Sequence, residues 1–420
     1  MKNDIIVGLD IGSSQIKLII AQKKLEYSEE KLHIIGAVSH PSAGVGKNGT
    51  INSIEDAVSA LSACLEKAER LVGVPIDSVY LAYNHAKTQY ERVKGVAIVS
   101  KNDGEIDQDD IDRAIESARS FPVSNNYEIF KTIPVKYNID NNEDVKDPIG
   151  MRGIRLEVEV IVSLVLSSQI NNLVKIVQRV GLDVEDILPS AVNMAELFLS
   201  HKEKELGAAV LDIGSTTTSL AVFEDGVLLH FNVLPIGSEY ITADIGLGLR
   251  CPITLAERIK LEFGQADSSD VDSSEEIDIS HLLKEEKIDD ENSIISRHHL
   301  SEIIEARVEE IFNLVDEDLK KINRSKILPV GIFLAGGGSL LDGIVKVAKR
   351  TLSLPVAFLE PREVRVEVDK AARPEFLSAL GLAVFGSYVG GSSYRGTALK
   401  DGVKNAFKKA SNLFKKIIPK

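Results

Sequence analysis

The chain has 420 residues, of which 44% are hydrophobic and 27% charged, so it can bury a large core and is too apolar for a disordered protein. Its formal net charge of -14 argues against a protein that coats nucleic acid, because such proteins neutralise phosphates with an excess of Lys and Arg. Its two cysteines are too few for a disulfide framework, which favours a reducing, cytoplasmic compartment. The apolar runs fall short of the roughly 20 residues of a transmembrane helix.

The sequence Leu-Asp-Ile-Gly-Ser occurs twice, at 9–13 and near the middle of the chain at 211–215. In each copy an apolar segment runs into Asp-x-Gly-Ser and a second apolar segment leaves it, which is the pattern of a β-hairpin with a glycine turn. One such hairpin is a weak signal. Two copies at half-chain spacing predict a duplicated α/β domain.

Between the two copies the chain alternates between strand-like and helix-like stretches, as in an α/β fold. Ser53 predicts the N-cap of a helix that ends near Gly73 and places Cys64 in the core. Residues 84–166 instead contain several predicted strands and one predicted helix, 108–120. This stretch therefore reads as an inserted small α/β subdomain.

In the second half, residues 265–291 hold eleven acidic residues and two lysines, so we expect an exposed acidic loop there. Apolar residues then recur at helical spacing, which predicts a helix over 301–314. A glycine cluster at 336–338 follows an apolar, strand-like run and precedes a helix predicted to begin near Leu340.

The two Asp-x-Gly-Ser hairpins combine residue types that bind phosphate. A glycine turn beside hydroxyl side chains lets N–H and O–H groups donate to phosphate oxygens, and Lys17 adds positive charge. The carboxylates of Asp10 and Asp212 are hard oxygen ligands suited to Mg²⁺ through its retained water molecules. The 336–338 cluster permits close backbone approach to a ligand but matches neither the dinucleotide fingerprint nor the P-loop. The residues expected to hold a phosphate chain from two sides are Gly12, Ser13, Ser14, Lys17, Gly214, Ser215 and Thr216.

These motifs, together with an Ala-Gly-Gly-Gly-Ser loop at 335–339 and two predicted connecting helices, resemble the superfamily of actin, Hsp70 and sugar kinases. Within it the sequence is similar to the FtsA family of bacterial cell division proteins. The segments that carry this closer resemblance are 133–137, 147–151 and 256–260, together with the C-terminal helix.

The resemblance implies an α/β protein with a duplicated, two-lobe fold of the actin and Hsp70 type (ribonuclease H-like), an inserted small α/β subdomain and a C-terminal amphipathic helix. It divides the chain into a first lobe, the inserted subdomain, the core and the outer subdomain of a second lobe, a connecting helix, a linker and a membrane-binding helix. The first lobe comprises 1–83 and 167–200, and the inserted subdomain comprises 84–166. The core of the second lobe comprises 201–236 and 327–375, and its outer subdomain comprises 237–326. The connecting helix is 376–388, the linker is 389–402 and the membrane-binding helix is 403–420.

The resemblance also implies ATP and Mg²⁺ as ligands. Hydrolysing relatives carry an acidic or amide residue near the end of the first connecting segment, where this chain has Leu188, with Asp186 the nearest acid. We therefore expect ATP binding with slow or absent hydrolysis. The residues implied to contact the adenosine are Gly336, Gly337, Gly338 and Ser339, with Glu257 and Lys260 near the ribose and base.

The segment 403–420 holds six lysines and no acidic residue. Its apolar side chains follow helical spacing and form a continuous stripe, which is typical of an amphipathic helix lying in a membrane interface. The Gly- and Ser-rich segment before it predicts a flexible linker. A helix docked on the body would explain the stripe but not the lysines. The residues expected to meet the membrane are Phe407, Leu413, Phe414, Ile417, Ile418, Lys408, Lys409, Lys415 and Lys416.

The FtsA resemblance further implies FtsZ, anionic membrane lipids, other copies of the chain in a filament, and later division proteins as partners. They would meet at the division site on the cytoplasmic face of the inner membrane. The helix predicted over 301–314 resembles the region that receives the C-terminal peptide of FtsZ, with Arg297, Ile304 and Arg307 as candidate contacts. The two arginines can pair bidentately with carboxylates of an acidic peptide, or else they only neutralise the surrounding acids.

Two other functions share parts of this pattern. A phosphotransferase of the sugar-kinase type shares the phosphate hairpins, but it needs a catalytic carboxylate in a substrate cleft and no basic tail. A pilus-assembly adaptor has a similar core and insert but ordinarily lacks the tail. The tail with its linker therefore favours a membrane-bound, polymerising cytoskeletal adaptor that tethers FtsZ.

Overall fold

The structure, a computed structural model, describes residues 5–26, 29–288, 293–362 and 364–389. Its first elements are a hairpin, a third antiparallel strand, a helix and a parallel strand. They are β1 Ile5–Ile11, β2 Gln15–Glu26, β3 Glu29–Pro41, α1 Ile54–Val72 and β4 Ser78–Tyr83. The Ser53 hydroxyl caps α1 and a left-handed Gly73 ends it, as predicted. Cys64 is buried in the core, and burial raises the pKa of its thiol to about 11.

The next elements form a separate antiparallel sheet, ordered β5-β8-β6-β7, with one helix on its face. They are β5 Gln89–Ile98, α2 Gln108–Arg119, β6 Tyr127–Ile139, β7 Asn142–Val145 and β8 Arg155–Leu166. The predicted helix and three of these strands are present. The short β7 was not predicted, because its four residues are mostly polar and carry no alternating apolar pattern.

The chain then completes the first sheet and builds a second one, followed by a mainly helical outer part. These elements are α3 Ser167–Arg179, β9 Asp183–Pro189, α4 Ser190–Phe198, α5 His201–Leu206, β10 Ala208–Ile213, β11 Thr218–Glu224, β12 Val227–Leu234, α6 Ser238–Gly248, α7 Ile253–Phe263, β13 Glu276–Asp278, α8 Ser280–Glu286, β14 Ile294–Ser296 and α9 Arg297–Lys321. The last described elements are β15 Gly331–Ala335, α10 Ile344–Leu352, β16 Val356–Phe358, β17 Arg365–Val366 and α11 Leu377–Val389.

The two large sheets repeat one topology. The first has the order β3-β2-β1-β4-β9, with β17 added at its edge, and the second has the order β12-β11-β10-β15-β16. In each sheet three antiparallel strands are followed by two parallel ones, and the central hairpin carries an Asp-x-Gly-Ser motif at its turn. The predicted duplicated, two-lobe α/β fold with an inserted α/β unit is confirmed.

The helices α4 and α11 pack against each other and share one buried cluster with strands of both sheets. Helix α11 approaches β1 closely at Gly8, where a Cβ would stand 2.0 Å from the carbonyl oxygen of Ala379. Large side chains such as Phe198 and Phe376 fill the rest of this cluster. Because close-packed interiors resist deformation, this packing fixes where the two hairpin turns lie relative to each other.

Several boundaries differ from the sequence prediction. The acidic segment contains β13 and α8. Within it the Asp267 side chain is fully buried, and its charge is compensated by Lys346 and Arg350 on α10, 2.8 and 3.6 Å from its carboxylate. The expectation of an exposed loop is therefore wrong there. After the glycine cluster the chain forms a 3-10 turn, Gly337–Leu340, so α10 begins at Ile344 rather than near Leu340. Helix α9 also extends beyond the predicted 301–314 at both ends.

The predicted linker beyond α11 and the amphipathic helix 403–420, with the membrane residues between Phe407 and Ile418, lie outside the described residues. They remain predictions from the sequence. In the part of the chain that the structure describes, no helix combines the length and apolar character needed to cross a membrane.

Candidate functional site

A cleft of about 860 Å³ lies between the two lobes, where the turns of the two central hairpins meet. The hydroxyl oxygens of Ser13 and Thr216 are 2.9 Å apart, so motifs from opposite halves of the sequence touch. In each turn the glycine N–H donates to a carbonyl oxygen of the same loop. The predicted ligand-binding residues that line this cleft are Asp10, Gly12, Ser13, Ser14, Lys17, Asp212, Gly214, Ser215, Thr216, Glu257, Lys260, Gly336, Gly337 and Gly338.

The two motif carboxylates occupy equivalent positions in the two lobes. Asp10 on β1 lies 3.9 Å from the Lys17 ammonium, and Asp212 on β10 accepts a hydrogen bond from the Ser190 hydroxyl at 2.9 Å. Burial, and then the negative charge of Asp10, raise the pKa of Asp212 from 3.8 to about 6. The two carboxylates therefore leave negative charge in the cleft that a divalent cation would neutralise.

The Asp10 and Asp212 carboxylates fit Mg²⁺ held largely through water. Mg²⁺ usually keeps several water ligands and takes one or two carboxylates from the protein. Among the described residues, no group of three or more His, Cys, Asp and Glu side chains is arranged to hold a metal by itself.

A polar chain that the sequence analysis missed joins the lobes at Asp212. Asn84, just after β4, donates through Nδ2 to the Ser190 hydroxyl at 2.6 Å, and that hydroxyl donates to Asp212. Ser190 is the first residue of α4, so first lobe, connecting helix and second lobe meet in one set of hydrogen bonds. Ser190 lies two residues after Leu188, the position where a water-positioning residue was expected. No sequence signal marked Asn84.

The glycine cluster shapes one wall of the cleft. Gly336 has a φ of 86°, and a Cβ there would stand 2.4 Å from an Asp212 carboxylate oxygen. A Cβ at Gly337 would make only an ordinary van der Waals contact, 3.8 Å from the Glu375 Cβ. Ser339 does not line the cleft: it is fully buried and its hydroxyl donates to the Gly336 carbonyl at 2.7 Å. Its expected contact with adenosine is therefore corrected to a role in holding the loop.

The predicted nucleotide-binding residues Glu257 and Lys260 on α7 line the cleft and form an ion pair with each other. The Lys260 ammonium lies 2.6 Å from a Glu257 carboxylate oxygen and donates to the Thr242 hydroxyl at 2.8 Å. The Thr242 hydroxyl in turn donates to Glu257. This closed triangle fixes both side chains at the edge of the cleft.

Charged residues just before α11, which the sequence did not single out, also line the cleft. Lys370 and Glu375 lie in two successive 3-10 turns, and Arg373 lies between these turns. The Lys370 ammonium is 3.3 Å from the Ser39 hydroxyl, and Ser39 pairs with Lys17 across β2 and β3. Their position before the predicted connecting helix was the only sequence signal that could have found them.

The acid nearest to the expected water-positioning place is not in the cleft. Asp186 is buried and accepts a hydrogen bond from the Lys131 ammonium at 2.8 Å. Leu188 is buried among apolar residues. Neither Asp186 nor Leu188 lines the cleft.

The candidate partner residues on α9 lie in two different environments, one in the core and two at the surface. Ile304 is fully buried in the core of the second lobe, so its expected contact with a peptide is wrong. The apolar spacing around it marks the core face of the helix. Arg307 donates to Asp244 at 2.9 Å, and Arg297 lies 2.6 Å from Glu275. Both arginines thus pair with neighbouring acids, and their contact with an FtsZ peptide stays a prediction.

The chain is similar to known proteins of one family over most of its length. A family model described as "Cell division protein FtsA" matches residues 209–381, and one described as "SHS2 domain inserted in FTSA" matches residues 86–164. The chain is 32% identical over 383 residues to the cell division protein FtsA of Pseudomonas aeruginosa, covering 91% of this chain and 89% of that protein. It is also 32% identical over 383 residues to FtsA of Bacillus subtilis, covering 91% and 83%.

Two solved structures show the same fold at low identity. The type IV pilus biogenesis complex PilM–PilN is similar at a TM-score of 0.65 and 19% identity, covering 91% of this chain and 98% of that chain. MreB5 of Spiroplasma citri bound to ADP is similar at a TM-score of 0.51 and 14% identity, covering 91% and 96%. At these low identities the two similarities are evidence for the fold alone.

Proposed function

The chain belongs to the FtsA family of cell division proteins, and on this premise we propose that it binds ATP with Mg²⁺, polymerises on the inner face of the cytoplasmic membrane and tethers FtsZ there. The observation that carries the proposal is the meeting of the two phosphate-type hairpins in one cleft, with Ser13 and Thr216 hydroxyls 2.9 Å apart. A nucleotide held by both turns would contact both lobes. Its binding would then favour one separation of the lobes, and hence one shape for assembly.

For the nucleotide, Lys17 and the turn N–H groups would hold the phosphates, and Asp10 with Asp212 would hold Mg²⁺ through water. The 336–338 loop would lie against the adenosine. Bound ATP supplies the triphosphate charge that this arrangement is suited to neutralise. Support for this part comes from the lining of the cleft and from the similar fold of MreB5 bound to ADP.

We propose that turnover is slow or absent, because Asp186 is held by Lys131 away from the cleft and Leu188 is apolar and buried. Calorimetric titration of the full chain with ATP, with and without Mg²⁺, should show Mg²⁺-dependent binding. A steady-state hydrolysis rate of about 1 per second or more, typical of ordinary enzymes, would contradict slow turnover.

The proposal for membrane attachment rests on the composition of 403–420. Burying the apolar side chains at the interface favours binding, and the lysines add attraction to anionic lipid. Ordering the helix opposes both, because its backbone loses conformational freedom. A single tail therefore binds weakly, while a polymer that presents many tails binds tightly through effective concentration.

Co-sedimentation with vesicles containing anionic lipid tests this attachment. A chain ending at Gly402 should stay in the supernatant while the full chain pellets. Phe414→Glu, on the apolar stripe, should also lose binding. The matched change Asn412→Glu adds the same charge on the face opposite the stripe and should retain most of it. Equal binding by the truncated and full chains would end the proposal, and electron microscopy on lipid monolayers with and without ATP would report polymerisation.

For FtsZ, we propose the surface around Arg297 and Arg307 at the N-terminal half of α9. An acidic peptide would have to displace Asp244 or Glu275 from these arginines, which is possible because neither arginine is fully buried. Arg307→Glu should abolish binding of the FtsZ C-terminal peptide. Arg258→Glu on α7, which breaks a similar pair with Glu285 on α8, is the matched control and should leave binding intact. Unchanged affinity in Arg307→Glu would remove that residue from the site.

A further inference from the structure

The Glu375 side chain lines the cleft, and one of its carboxylate oxygens has no hydrogen-bond donor among the described residues. It lies in the 3-10 turn Pro374–Phe376, and its side chain is only 15% exposed. The Arg373 guanidinium lies 3.0 Å from Oε1. Oε2 is buried, and no hydrogen bond reaches it from the described residues. One oxygen is therefore fixed by the protein while the other remains available as an acceptor.

A buried carboxylate oxygen without a donor is unfavourable, because it has lost its hydrogen bonds to water and no protein donor replaces them. Asp110 on α2 shows the usual arrangement: its oxygens accept from the Ser100 N–H, the Ser100 hydroxyl and the Asp107 N–H. Since Glu375 lines the cleft, a molecule bound there can supply the donor that the protein does not.

The surroundings of Glu375 define which part of a nucleotide it would meet. The Gly336 N–H donates to the Pro374 carbonyl at 3.0 Å, which ties the turn to the glycine loop. The Glu375 Cβ is 3.8 Å from the place where a Cβ of Gly337 would stand. The carboxylate thus sits beside the loop assigned to the adenosine. A carboxylate repels phosphate oxygens, so the fitting group is an uncharged donor on the nucleoside.

We propose that Glu375 Oε2 accepts a hydrogen bond from a donor on the nucleoside part of the bound nucleotide, either a ribose hydroxyl or the amino group of the base. Arg373 positions the carboxylate by holding Oε1. Glu375 then determines specificity, because a nucleotide without that donor leaves the oxygen unpaired in the cleft. The inference rests on the proposed binding of ATP in this cleft.

The test is calorimetric titration of the full chain, in Mg²⁺, with ATP, 2′-deoxy-ATP, 3′-deoxy-ATP and purine riboside triphosphate, which lacks the amino group. Wild type should bind one of the three analogues about tenfold or more weakly than ATP, and that analogue identifies the donor. Glu375→Ala should bind ATP as weakly as that analogue and no longer discriminate between them. Glu375→Gln keeps an acceptor oxygen and should preserve part of the discrimination, which covers the case in which the alanine variant fails to fold.

Glu55→Ala is the matched control, because Glu55 also pairs with an arginine, Arg179, but lies outside the cleft. Its nucleotide affinities should equal those of wild type. The inference is overturned if wild type binds ATP and all three analogues equally, or if Glu375→Ala keeps the full preference for ATP. A wild-type chain that does not bind ATP at all would overturn the proposed function itself and this inference with it.

Discussion

Replacing Asp212 with Asn should stabilise the protein when nucleotide and divalent cations are absent. The folded-state pKa of Asp212, about 6, lies above its ordinary value of 3.8, so the folded protein holds the proton more tightly than the unfolded chain does. The resulting penalty on the ionised carboxylate is absent below pH 3.8, develops between pH 3.8 and 6, and is complete above pH 6. A shift of about two pKa units corresponds to about 3 kcal/mol. This is an upper limit, because Asp212 faces solvent in the cleft.

Urea unfolding followed by circular dichroism, in EDTA, measures the effect in this chain, which contains no tryptophan. The stability gain of Asp212→Asn should be largest near about pH 7.5, about half as large near pH 5 and negligible near about pH 3.5. Asparagine still offers an acceptor oxygen to Ser190, so the gain reports the lost charge. Asp183→Asn, at an exposed strand end, is the control and should change little. A wild type as stable as the variant near neutral pH, or a gain that grows toward acid, would refute the reasoning.

Three further changes test other parts of the structure. Asp267→Asn should destabilise the protein by about 2 kcal/mol near neutral pH, since hydrogen bonds from Lys346 and Ser269 lower the pKa of Asp267 from 3.8 to about 2. In urea unfolding this deficit should disappear as the pH falls from 3.8 through 2, and a deficit that persists there contradicts the charge argument. Lys131→Met should destabilise the protein by about 3 to 5 kcal/mol, because it leaves the buried Asp186 carboxylate without its counter-charge. Adding Asp186→Leu should recover most of this stability. Thermal unfolding of the single and double variants measures the coupling. Gly336→Ala should weaken ATP binding about tenfold or more, because its φ of 86° and the collision with a cleft carboxylate force the loop to move. Gly150→Ala has the same strain at a φ of 80° but nothing within 4 Å, so in calorimetric titration it should bind ATP normally.

The structure agrees with the sequence prediction where the signal was local. The repeated Asp-x-Gly-Ser turns, the Ser53 cap and the Gly73 stop each depend on a few neighbouring residues and formed as expected. The prediction failed where a pattern had two readings. Apolar spacing on α9 served equally for a peptide groove and for a core face, and the packing of α9 against the second-lobe sheet and outer helices buried Ile304.

The duplication, the phosphate-type hairpins, the glycine loop and the basic tail can be read from the residues alone, because each is encoded in adjacent residues or in exact repetition. Three other features became visible in the folded chain alone: Asp267 is buried beside α10, Asn84 and Ser190 reach Asp212, and Glu375 lines the cleft. These outcomes depend on burial and on neighbours distant in the chain. A charged residue has the same letters in the sequence whether it meets water, a counter-ion or a ligand, and folding decides among them.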